Sequence, residues 1–73
     1  MTDAYENLAN AIILSGVKDY RRALRLLSKN PQSRSAMAAV NEMERFFRSD
    51  WYETLTSVDG EMLIRKLREE AFL

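Results

Sequence analysis

The stretch Asp3–Lys29 reads DAYENLANAIILSGVKDYRRALRLLSK, with no proline and one glycine, Gly16. On a helical wheel Leu8, Ile12, Ala23 and Leu27 fall close together, with Tyr5, Ala9, Tyr20 and Leu24 beside them. Apolar residues at this period make one flank of a long amphipathic helix. The later segments are short, so this band is expected to be the surface against which they fold. Thr2 or Asp3 is read as its cap, and Asp3 with Glu6 has the spacing of a capping box. Gly16 lies on the apolar side, which predicts close approach of a second helix there; the alternative for Ser15-Gly16 is a kink.

Lys29-Asn30-Pro31 ends that helix, because the residue before a proline is driven out of helical geometry. Proline suits a first helical position, so a second helix is expected over residues 31–48. Ala36, Val40, Met43 and Phe47 form its apolar row, flanked by Ala39 and Phe46. Arg34, Asn41, Glu44, Arg45 and Arg48 are placed opposite. The short connection favours an antiparallel hairpin. Ser49-Asp50 signals a third, short helix to about Leu55. Thr56–Gly60 turns the chain, and Ser57 is the expected cap of a last helix. In that helix Leu63, Ile64, Leu67 and Ala71 are the apolar stripe, while Arg65, Lys66 and Arg68 face away. The expected architecture is one small all-α domain: a long helical hairpin, a short third helix, and a fourth helix packed across it.

Composition narrows the function. The 73 residues include no cysteine and no histidine. This leaves no disulfide, no thiolate metal site, and neither the usual general base nor the usual metal ligand. The serines therefore have no partner with which to form a nucleophile–base pair. Asp59-Gly60-Glu61 lacks the repeated oxygen ligands of a calcium loop, and no phosphate-binding glycine loop occurs. The expectation is a protein that is not an enzyme and needs no cofactor or metal. MTDAYEN is acidic where a secretory signal would be basic, and no segment approaches the roughly 20 apolar residues of a membrane span. A soluble intracellular protein is expected.

Eleven Lys and Arg balance eleven Asp and Glu. The balance is not local. From Lys18 to Arg34 six basic residues face one acid, Asp19, leaving +5; the remaining five basic and ten acidic residues leave −5. Lys18, Arg21, Arg22, Arg25 and Lys29 share about one third of the first helix's circumference at 100° per residue. Leu14 lies on the same face. Such a stripe suits an acidic protein or phosphates, and it also complements the helix dipole as ordinary solvated surface. Trp51 and Tyr52, beside Arg45 and Arg48, are candidates for stacking or anchoring; with Phe46 and Phe47 they equally suit the inter-helix corner of a small core. Tyr5 and Tyr20 are read as core-edge residues with hydroxyls toward water.

The run Glu44-Arg45-Phe46-Phe47-Arg48-Ser49-Asp50-Trp51-Tyr52, with Leu55-Thr56, Asp59-Gly60 and Leu63-Ile64-Arg65-Lys66-Leu67, resembles a group of short uncharacterised proteins. They occur in phages, prophages and mobile elements of Firmicutes and related gut bacteria. Val17–Leu24 and Asn30-Pro31 fit the same group. The resemblance implies a context, a small protein carried by a mobile element in the bacterial cytoplasm, and no catalytic residues. In that context the expectation is an accessory protein that binds a macromolecule, most readily a protein, and modulates a host or defence protein. A structural homo-oligomer (a homodimer pairing its long helices) and a nucleic-acid binder are the alternatives. A neutral total charge argues against the last.

Overall fold

The structure, a computed structural model, describes residues 4–72 and is all-α. Four helices follow in order: α1 (Ala4–Lys29), α2 (Arg34–Phe47), α3 (Asp50–Leu55) and α4 (Gly60–Phe72). The expected caps at Thr2 and Asp3 lie outside the described residues. α1 packs most extensively on α2, then on α4 and α3. Gly16 meets Phe46 and Met43 late in α2, and Ala23 shares a groove with Ala36 and Ala39 early in α2. The two helices therefore run antiparallel, as the short connection requires.

The joints are set by local chemistry. Asn30–Ser33 closes a turn through Ser33 N to Asn30 O at 3.0 Å, with Pro31 second, where its fixed φ belongs. Ser33, not Pro31, opens α2: its Oγ accepts from Ala36 N at 3.2 Å. The expected start at Pro31 is corrected by three residues, because the turn consumes the proline. Ser49 caps α3 by accepting from Tyr52 N at 3.1 Å, and the expected span of that helix matches. The expected Ser57 cap of α4 is also corrected. Asp59 takes the position, its Oδ1 accepting from Glu61 N at 2.9 Å, because helical geometry begins only at Gly60.

One cluster joins all four helices: Tyr20, Ala23, Leu24, Val40, Phe47, Tyr52, Ile64 and Leu67. Phe47 sits at its centre, edge-on to Tyr20 at 5.5 Å and to Tyr52 at 5.7 Å, the geometry aromatic quadrupoles favour. The apolar band of α1 is covered only in part. Tyr5 is 62% and Leu8 59% exposed, while Ala9, Gly16, Ala23 and Leu24 are buried. The cause is length: α1 has 26 residues, about 39 Å, against 14 residues and about 21 Å for α2. α1 remains a single helix through Gly16, so no break occurs at the glycine. An added Cβ there would lie 3.1 Å from the Phe46 ring; the glycine admits that ring.

Two charged residues read as outward-facing turn inward. Glu44 is only 8% exposed. It accepts from Tyr20 Oη at 2.6 Å and from Arg68 Nη2 at 2.7 Å and Nε at 3.0 Å. Arg48 adds a longer contact at 3.4 Å and itself reaches Glu61. Tyr20 is fully buried, which corrects its placement at the core edge, and Arg68 crosses from α4 rather than facing away. Burial alone would raise the Glu44 pKa, but the Tyr20 and Arg68 hydrogen bonds and the charges of Arg68 and Arg48 outweigh it and lower it. Burial first, then the bond to Glu44, holds the Tyr20 phenol well above its usual range.

Because the folded-state pKa of Glu44 is lowered, its stabilisation is present above the unfolded value near 4.3. It is lost as pH falls through the folded value. Tyr20 has the opposite sign: its contribution holds below about pH 10 and is lost above it. Glu44→Gln should cost about 2 kcal/mol at pH 7, roughly 10 °C in melting temperature for a domain this small. It should also flatten the acid limb of a Tm-versus-pH profile; an acid limb unchanged in the variant would contradict this account. Gly60→Ala should be destabilising by about 2 kcal/mol or more. Its Cβ would overlap the Phe47 carbonyl oxygen and lie 3.4 Å from the Tyr52 ring. Urea unfolding at neutral pH measures it.

Candidate functional site

The cationic face of α1 is built by rotation alone. Lys18, Arg21, Arg22, Arg25 and Lys29 are all exposed, because the buried side of the same turns is Tyr20, Ala23 and Leu24. They form a ridge between two shallow grooves. Arg21 and Arg25 border one against α4, with Leu67, Glu70 and Ala71, of about 210 Å³. Arg22 borders the other against α2, with Leu26, Ala36 and Ala39, of about 340 Å³.

One of the five is not free. Arg21 donates from Nε to Glu70 Oε2 at 3.1 Å and from Nη2 to Oε1 at 3.4 Å. Lys18, Arg22, Arg25 and Lys29 have no ion pair among the described residues. The ridge thus presents four available cations on one rigid helix. Leu14, 62% exposed, lies about a turn ahead of Lys18 on the same face. Leu26 is also exposed, beside Arg22 in the α2 groove. Sequence reading passed over Leu26; the signal was there, since it projects well away from Leu24 and Leu27 on the wheel.

The aromatic pair divides. Trp51 is 57% exposed and edge-on to Phe46 at 5.6 Å. Phe46 packs on Gly16, so the indole lies toward the amino-terminal half of α1, away from Lys29. Tyr52 is 1% exposed and belongs to the core. Its assignment as a surface anchor is corrected: the third and fourth helices enclose its ring against Phe47. Trp51 and the cationic ridge are therefore separate features.

Among the described residues no group of three or more acidic, histidine or cysteine side chains is gathered to hold a metal. No described helix is long and apolar enough to cross a membrane. No family model, no curated protein and no solved structure matches the chain.

The Arg21–Glu70 pair joins two half-exposed side chains. Arg21→Ala should therefore change stability by less than about 1 kcal/mol. The small difference should vanish in about 1 M salt; thermal melts of both proteins at low and high salt measure it.

Proposed function

We propose that this chain is a non-enzymatic accessory protein of a phage or mobile element that binds an acidic protein partner through the cationic face of α1. The observation that carries this reading is the set of four cations, Lys18, Arg22, Arg25 and Lys29, unpaired among the described residues and fixed on one helix. A rigid helix loses little ordering entropy on docking, and complementary charge speeds encounter and selects partners. The grooves beside the ridge give a partner apolar footing at Leu26 and Ala39 on one side and at Ala71 on the other. A host or defence protein with an acidic groove is the partner this surface suits. The neutral net charge disfavours nucleic acid, which small duplex binders meet with an overall basic charge.

A second reading rests on a different observation. Residues 7–17 carry no charge, and Tyr5, Leu8 and Leu14 around them are exposed. This half of α1 suits a copy of itself in a homo-oligomeric module.

Arg22→Glu/Arg25→Glu should keep the helical circular dichroism of the wild type yet lose any protein captured from a bacterial host lysate. The captured protein should also release in about 0.5 M salt. Retention by the double variant would remove the ridge from consideration. A sedimentation dimer broken by Leu14→Asp would favour the second reading, and retardation of duplex DNA at low salt the nucleic-acid one.

A further inference from the structure

Six residues of α1 recur at alternating steps of four and three: Leu8, Ile12, Ser15, Asp19, Arg22 and Leu26. That spacing keeps them on one flank, and it is the period by which two helices pair along their lengths. Both ends of the row are bare: Leu8 is 59% and Leu26 53% exposed. Their surroundings differ. Leu26 borders the shallow groove that α1 forms with Ala36 and Ala39 of α2, of about 340 Å³. Leu8 stands on the part of α1 that the shorter α2 does not reach, and it projects there as a knob.

Knob and groove thus lie on the same flank of the same helix, about 27 Å apart along its axis. They do not meet within one chain. A second copy laid antiparallel along this flank brings them together twice, with the two-fold axis at the level of Val17. Electrostatics selects that direction. Residues 7–17 carry no charge, whereas residues 18–29 carry Lys18, Arg21, Arg22, Arg25 and Lys29 against Asp19 alone. Antiparallel pairing sets the cationic half of each copy beside the uncharged half of the other. Parallel pairing sets cations against cations, which is costly. Asp19 has no ion pair among the described residues. The antiparallel register brings it level with the other copy's Ser15 and within one turn of its Lys18. Contact then runs along nearly the whole of α1, about 36 Å, which buries on the order of the 800 Å² per partner that a stable interface needs.

We propose that this chain forms an antiparallel homodimer in which Leu8 of each copy seats in the α1–α2 groove beside Leu26 of the other. This rests on the homo-oligomeric reading of the uncharged half of α1 and gives it a direction and a register. It assigns the α2-side groove to the second copy and leaves Arg25, Lys29 and the α4-side groove open to a different protein.

Sedimentation equilibrium of the full chain should show a closed dimer dissociating at about 10 μM. Leu8→Lys and Leu26→Glu, both at exposed positions, should each keep the helical circular dichroism and weaken the dimer at least tenfold. Mixing the two variants should restore a dimer to within several-fold of the wild type. In the mixed pair one contact becomes lysine on glutamate and the other stays leucine on leucine. Parallel pairing gives no such rescue, because each position then meets its own copy. A chain that stays monomeric to about 1 mM overturns this proposal together with the homo-oligomeric reading, and leaves the flank to a different protein. A dimer broken by Leu14→Asp but indifferent to Leu8→Lys and Leu26→Glu overturns the proposal alone, as does a mixture that fails to reassociate.

Discussion

A single carboxylate ties together three of the four helices. Glu44 projects from α2 and is met by the Tyr20 phenol from α1 and the Arg68 guanidinium from α4. Desolvating a carboxylate in a domain this small is costly unless donors replace the water it loses. Here they do, and their geometry is demanding: each donor must arrive at hydrogen-bond distance at once. Apolar packing alone tolerates some sliding of one helix along another. This contact does not, so it selects one register among the several that the apolar stripes would accept. The alternating ladder Arg68–Glu44–Arg48–Glu61 then links α4 to α2 at two points along their lengths.

Two glycines set how closely the framework closes. Gly16 admits the Phe46 ring to the surface of α1, and Gly60 brings the first turn of α4 against the Phe47 carbonyl. Neither needs an unusual backbone angle, since no glycine has positive φ. Their role is absence of volume. Between them lies the aromatic group Tyr20, Phe46, Phe47, Trp51 and Tyr52, whose rings meet edge to face except for the tilted Phe46–Phe47 pair. Large rings fill a small core with few residues, which a chain of 73 residues needs.

The same packing sorts the charges. The glutamates and arginines that hold helices together are engaged in pairs, with Glu44 alone among them buried, and the charges left over segregate. Cations remain on the later turns of α1, carboxylates around the α3–α4 turn. A protein with no net charge thus has two surfaces of opposite sign, each attached to the rigid part of the fold. Such separation favours recognition of particular partners over nonspecific attraction to any polyanion.

The periodicity of the chain determined much of this. The four helices, the hairpin, the short α3 over Asp50–Leu55, the close approach at Gly16 and the angular position of Lys18, Arg22, Arg25 and Lys29 all follow from local patterns. Rotation about a helix axis is a property of nearby residues, so the wheel reports it faithfully. The wheel does not report how far a partner helix extends, and so it places Leu8 in the covered band although α2 is too short to reach it. Nor does it report which charges meet. Tyr20, Glu44 and Arg68 are separated by 24 residues at each step. Their meeting depends on the crossing of three helices, which no local pattern encodes. The burial of Tyr52 and the pairing of Arg21 with Glu70 belong to the same class. Tertiary structure alone decided them, because each depends on where a second or third helix comes to rest.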